Sequence, residues 1–405
     1  LDRNAHLLDV DQAVHDGHVY SDKAPYQPLL AAPAYQAFRA LGGDAFPQRD
    51  GRPAPKSSSF HWGRWWVGLW SSTIPAALLC LVLRRLVAQV HPRVATPVAL
   101  GLSLGTMLLP FASALFGHVL AALFVAGGWL LVRRPEATTR SMVASGALLS
   151  ASIGTEYPLV IPVAVVVVAA LVAHGVRKLV PLALGGFVAA IPLMLYSWAA
   201  FGSPIRTAYQ GNQTNFRGQG ALGVYNLVWP SAENLRDGLL GDRGLFTLTP
   251  VCLIAVLFAF LAIAERRETR RDGVVAIIVL VGMLVATSGV DGYGGASPGP
   301  RYLIPALPFL AVPLADAWRR MPRTCAAAAI VGFIPMILAT MSAPLIDPGY
   351  TRSARYWWDR VYAGDVVSNL LLEPLGAWAL YLIVAVGIGC ATGALALDRR
   401  SVRPA

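Results

Sequence analysis

Long apolar runs broken by short Arg-rich connections constrain this chain more than any other feature. A run of about 20 apolar residues is what crosses the hydrocarbon of a bilayer, and such runs recur from residue 65 almost to the C-terminus. Candidate spans lie near 65–83, 95–115, 117–132, 141–155, 157–174, 179–200, 248–264, 273–290, 302–318, 324–344 and 376–396, eleven in all. With only 14% charged residues against roughly 25% in soluble domains, a soluble enzyme is excluded. The expected fold is an all-α polytopic bundle.

The formal charge of +11 would suggest a nucleic-acid partner in a soluble protein, but its distribution answers a question of topology. Eighteen of the 33 Lys and Arg fall in six short connections on one side: around Arg84, Arg133, Arg177, Arg266 and Arg319, and after Arg399. By the positive-inside rule that side is cytoplasmic. The N-terminus is then external, the C-terminal tail 397–405 cytoplasmic, and no nucleic-acid partner is expected. Residues 1–64 form an external segment ahead of a transmembrane bundle at 65–396, with further external loops at 201–247, 291–301 and 345–375. The chain begins at Leu1 with no apolar segment to carry residues 1–64 across, so an upstream span is expected. All four cysteines sit in apolar runs as small hydrophobes.

Chemistry is expected on the external side, because the cytoplasmic connections are too short to build a site. The densest polar cluster is His15-Asp16-Gly17-His18-Val19-Tyr20-Ser21-Asp22-Lys23-Ala24-Pro25, read as a polar loop. Leu29, Leu30, Ala34, Phe38 and Leu41 follow at helical spacing, which predicts a juxtamembrane amphipathic helix lying in the headgroup plane. That helix would hold Lys23 at the depth of a lipid phosphate, where an ammonium acts as a point-charge ligand. The same cluster is compatible with a solvated loop, or with two His and two Asp on a divalent metal. No regular ligand motif is present, so no metal ligands are assigned.

A second cluster, Asp291-Gly292-Tyr293-Gly294-Gly295-Ala296-Ser297-Pro298-Gly299-Pro300-Arg301-Tyr302, opens a span. Its glycines fit no nucleotide-binding loop, and Arg301 either snorkels to headgroups or pairs with an anion in a cavity. His118, Glu156 and Asp316 are the ionisable residues at span edges. Burying one costs about 2.5–3.5 kcal/mol on insertion scales, so each is a functional candidate. His118 and Glu156 lie at external ends and could share a pocket, whereas Asp316 is expected to pair with Arg319 and Arg320 one turn on. The external aromatics Tyr209, Tyr225, Trp229, Tyr350, Tyr356, Trp357, Trp358 and Tyr362 suit either a sugar surface or an interfacial belt, and Trp357 and Trp358 are assigned to the belt.

Asp22-Lys23-Ala24-Pro25 before a juxtamembrane helix, and Arg301-Tyr302-Leu303-Ile304-Pro305 at the start of a late span, resemble the motifs of the GT-C glycosyltransferases. These polytopic enzymes take sugars from polyprenyl phosphate, as protein O-mannosyltransferases and lipid A aminoarabinose transferases do. The resemblance covers residues 15–345 in order and topology, with Ala24 where relatives carry a Pro and His118 where many carry a second acid. It implies that Lys23, Arg301 and Tyr302 bind the donor phosphate and that an acidic base activates the acceptor. Asp16, Asp22, His118 and Glu156 are the candidate catalytic residues, with Asp9 and Asp11 as further possible bases. The partners would be a polyprenyl-phosphate-linked sugar, membrane lipid and a glycan, lipid or protein acceptor. The Ala/Arg/Val-rich composition fits a high-GC bacterium, and the topology would put the active site on the external face of its inner membrane. A transporter or flippase of a lipid-linked anion would use the same cations for binding alone.

Overall fold

The computed structural model describes residues 12–43, 58–211, 230–288, 296–346, 350–366 and 378–401. A hairpin of β1 (Gln12–His15) and β2 (His18–Ser21) leads into helix α1 (Tyr26–Ala40). Then come α2 (Ser58–Gly68), a π-helical turn at Leu69–Thr73 and α3 (Ile74–Ala88), followed by α4 (Ala95–Leu104), α5 (Leu108–Ser113), α6 (His118–Val132), α7 (Thr139–Thr155), α8 (Val160–His174) and α9 (Val176–Phe201). The second half holds α10 (Ala232–Leu240), α11 (Leu245–Leu248), α12 (Pro250–Ala264), α13 (Arg270–Thr287), a 3₁₀ helix at Arg301–Leu310, α14 (Ala311–Arg320), α15 (Pro322–Met341), α16 (Ser353–Tyr362) and α17 (Trp378–Ser401). This is the expected all-α polytopic bundle, with one small hairpin added.

Among the described residues, four continuous helices are long and apolar enough to cross a membrane: Trp62–Ala88, Tyr157–His174, Val176–Phe201 and Pro322–Met341. A fifth candidate, Ala232–Leu248 with Pro250–Ala264, is bent by 101° at Thr249. Several of the other predicted spans are shorter or broken, for reasons visible in the sequence. The segment expected as a span at 302–318 starts as ten residues of 3₁₀ helix. Pro305 and Pro308 stand three apart, matching the three-residue repeat of that helix, and each removes a donor an α-helix would need. Ten residues rising about 2.0 Å and ten of α14 rising about 1.5 Å still reach about 35 Å, enough for hydrocarbon of about 30 Å. The departure from α geometry is tolerated because Leu303 to Leu310 are buried inside the bundle rather than facing lipid.

Helix α6 is buried along almost its whole length, which explains its lack of an amphipathic stripe. Around it pack α3, α7 and the 3₁₀ segment. On the outside, α9 shows Val180, Leu184, Phe187, Leu195 and Trp198, a lipid-facing surface. Its opposite side meets α7 through glycines. A Cβ on Gly146 would collide with the Leu182 carbonyl, and one on Gly185 with the Val143 carbonyl, the close approach that small residues permit between membrane helices. Gly185→Leu is therefore expected to destabilise the bundle by about 3 kcal/mol in detergent unfolding. Gly186→Ala, which meets Gly146 O only at 3.5 Å, should unfold like wild type.

The Arg-rich ends of the helices are tied together by polar contacts. Arg133 forms a two-point pair with Asp272, Nε–Oδ1 2.6 Å and Nη2–Oδ2 2.9 Å. Asp316 departs from the expectation that it pairs with Arg319 and Arg320. It faces inward, 7% exposed, so its oxygens take partners from other helices: His91 Nε2 at 2.6 Å and the Thr269 hydroxyl at 2.5 Å. Arg319 instead reaches His91 Nδ1 at 3.3 Å, and Arg320 reaches Glu265 at 3.4 Å. Trp357 is likewise not a belt residue. It is fully buried and donates Nε1–H to Ala343 O at 2.9 Å, fastening α16 to the end of α15, while Trp358 stays exposed.

Candidate active site

The segment read as a polar loop is a two-stranded hairpin. Val14 pairs with Val19 and His15 with His18, and Asp16 and Gly17 make the turn with φ of 48° and 79°. Two successive positive φ angles are what an Asp-Gly pair accepts in a tight hairpin turn. The hairpin rests on the end of α9, with Ala13 buried, Tyr20 edge-on to Phe201 at 5.2 Å and His15 at 5.9 Å. Asp16 is thereby carried away from the other candidates: its side chain is 86% exposed at the hairpin tip, 3.5 Å from His15.

Beyond the hairpin, Tyr26 fixes the start of α1. Pro192 lies inside α9 and distorts the helical ladder there. The Tyr26 hydroxyl inserts beside it, donating to Ala189 O and accepting from Leu193 N at 3.3 Å. Trp66 Nε1 donates to Ala34 O at 2.8 Å and ties α1 to α2. Lys23 stands just ahead of these two anchors in the chain. Its ammonium lies 3.1 Å from Asp22 Oδ1, with Asp22 almost wholly buried and the Lys23 side chain half exposed. Asp22 is thus the immediate ion-pair neighbour of Lys23.

His118 opens α6, and Glu156 ends α7, where Tyr157-Pro158 stops the helix. Their side chains meet, His118 Nδ1 to Glu156 Oε1 at 3.2 Å. The approach needs Gly117, because a Cβ there would fall 2.8 Å from Glu156 Oε1. An aromatic collar surrounds the imidazole: Phe116 stacks on it at 5.9 Å, Phe111 stands edge-on at 5.5 Å and Tyr302 edge-on at 5.6 Å. Arg301 joins from the start of the 3₁₀ helix, its guanidinium 5.0 Å from the Phe116 ring centre and 5.6 Å from that of Tyr302. Arg301 Nη1 donates to Ala296 O at 3.4 Å, and its buried Nε has no hydrogen-bond partner among the described residues.

Glu156, in the connection outside the spans, feels all of this. Burial pushes its carboxyl up to about 7, against the downward pull of Arg301 and Lys23. Both cations therefore act on the same carboxylate. Tyr209, in the connection after α9, stands edge-on to Tyr157 at 5.4 Å. Burial, then the nearby Tyr302, Glu156, Asp22 and Tyr157, push its hydroxyl well above the usual phenol range. The structure so brings together Lys23, His118, Glu156, Arg301 and Tyr302, with Asp22 beneath the lysine, and leaves Asp16 outside. Asp9, Asp11, Tyr225, Trp229 and the glycines of 291–295 lie outside the described residues. Sequence reasoning missed Phe111, Phe116 and Tyr157, apolar-looking residues whose place around His118 and Tyr209 is a matter of packing. Among the described residues, no three His, Cys, Asp or Glu lie close enough to hold a metal ion.

The end of the membrane bundle that carries the long connections thus gathers Lys23, Arg301, the Glu156 carboxyl and an aromatic collar. Among solved structures, the chain matches the crystal structure of ArnT from Cupriavidus metallidurans bound to undecaprenyl phosphate. The TM-score is 0.51, with 98% of this chain and 69% of that chain covered at 15% identity. The likeness is one of fold. No protein-family profile matches the sequence, and no curated protein does.

Proposed function

We propose that this protein is a membrane glycosyltransferase that moves a sugar from a polyprenyl-phosphate donor to an acceptor hydroxyl, at the external face of a bacterial inner membrane. The observation that carries this is the seating of the Arg301 guanidinium on the Phe116 and Tyr302 rings that flank the His118–Glu156 pair, with Lys23 also acting on the Glu156 carboxyl. Two cations suit a phosphate whose charge grows as it leaves, and a carboxyl poised near 7 suits a general base at neutral pH. In the reaction the acceptor oxygen bonds to the anomeric carbon as the bond from that carbon to the phosphate oxygen breaks. Glu156 takes the hydroxyl proton and the lipid phosphate departs with the electron pair. His118, 3.2 Å from Glu156, orients the carboxylate.

The lipid has a place as well. An apolar groove of about 1070 Å³ runs between α4, α15 and α17, and Phe116 forms part of its wall. The ring that carries the Arg301 guanidinium on its surface thus also borders this apolar groove. ArnT, the protein of like fold, was crystallised with undecaprenyl phosphate, which agrees with a lipid-linked donor here. The test uses the full chain in lipid nanodiscs, supplied with radiolabelled undecaprenyl-phosphate sugars and an envelope extract as acceptor source. Label is expected to pass to the glycan, lipid or protein fraction. Movement of the lipid between leaflets without any transfer of label would favour a flippase and contradict the proposal.

A further inference from the structure

The Arg301 guanidinium has one direct hydrogen bond among those described, the 3.4 Å contact to Ala296 O, so its aim depends on the turn that precedes it. That turn is closed from within: the Ser297 hydroxyl donates to Gly299 O at 2.6 Å and accepts from Gly299 N at 3.3 Å. It is closed from outside by a second arginine. Arg243, between α10 and α11, is 6% exposed and donates Nη1–H to Ser297 O at 2.9 Å and to Ile346 O at 3.2 Å. Ser297 N donates to the same Ile346 carbonyl at 3.2 Å. Three connections distant in sequence, at 241–244, 296–300 and 342–346, therefore meet on one buried guanidinium. The carbonyl of residue 296 serves Arg301, and the next carbonyl serves Arg243.

We propose that Arg243 is a positioning residue for Arg301: by gripping the 296–299 turn and residue 346 together, it aims the Arg301 guanidinium at the anionic headgroup of the substrate. This rests on the proposed donor site, since Arg301 must first be shown to bind that headgroup. A displacement of about 1 Å in a group that engages a reacting centre can cost on the order of 10²-fold, so the grip on the turn matters beyond stability. Lysine at 243 would keep the charge but lose the planar fork.

The experiment measures undecaprenyl phosphate binding to the full chain in nanodiscs for wild type, Arg243→Met, Arg243→Lys, Arg301→Ala and the double variant Arg243→Met/Arg301→Ala. Arg243→Met is expected to weaken binding about tenfold in the wild-type background and less than about twofold when Arg301 is already alanine, because neighbours acting through one group are not additive. Amide exchange should quicken at 296–301 while α6 and α12 keep their protection. Arg243→Lys should fall between and carries the same comparison if Arg243→Met fails to fold. An equal loss in both backgrounds, or wild-type binding by Arg243→Met, overturns the role of Arg243 and leaves the donor site standing. Unchanged binding by Arg301→Ala removes the donor site, and this inference with it.

Discussion

Glu156→Gln is expected to lower turnover by about 10²–10⁴-fold, the usual contribution of a general base, while undecaprenyl phosphate still binds within roughly threefold of wild type. The amide keeps the shape of the side chain and its reach toward His118, but it cannot accept the acceptor proton. The sign of the pH dependence follows from the raised carboxyl. Because the base must be ionised and titrates at about 7, wild-type turnover should climb through neutral pH and fall about tenfold per unit on the acid side. That limb should vanish in Glu156→Gln. Turnover that survives the substitution with its pH profile intact would place the base elsewhere.

Arg301→Ala is expected to reduce kcat/KM by about 10²–10³-fold, the range for removing one electrostatic stabiliser from a site shielded from water. Lys23→Ala should cost less, about tenfold to a hundredfold, because its side chain is half exposed and water screens its charge. The lysine variant needs a control: it deprives the nearly buried Asp22 of its ammonium neighbour, so Lys23→Ala/Asp22→Asn separates lost binding from lost stability. Arg301→Lys should recover part of the loss, since the ammonium supplies charge without the planar face that lies over Phe116 and Tyr302. Kinetics on radiolabelled donor, with each variant's unfolding followed in parallel, decide both cases. Wild-type efficiency in Arg301→Ala would remove the phosphate role.

The elements easiest to read from sequence were those with a single physical cause. Apolar length located α6, α7, α8, α9 and α15, and Tyr157-Pro158 marked the break that leaves Glu156 outside a helix. The pairing of Lys23 before an amphipathic helix with Arg301 at the start of a late span was legible as a motif, and both cations act electrostatically on the Glu156 carboxyl. The hairpin was equally legible: Asp16-Gly17 between His-Val pairs is a turn signal, but the cluster's charge drew attention to ligands instead. Asp316 shows a different limit. Its spacing to Arg319 and Arg320 describes a helix surface, whereas its burial turned it toward His91 and Thr269, two residues that local spacing cannot reach. Phe116, Tyr26 and Arg243 belong to the same class. Each has its decisive contact far away in sequence, Phe116 with the Arg301 guanidinium and the other two with distant backbone, and nothing local distinguishes Arg243 from the chain's many other arginines.

The most direct measurement is a structure of the full chain in a lipid nanodisc with undecaprenyl phosphate added. The phosphate should lie within hydrogen-bond distance of both the Lys23 ammonium and the Arg301 guanidinium, close to Glu156, with its prenyl chain passing Phe116 into the apolar groove. A phosphate held by other residues, or by only one of those two cations, would contradict the account.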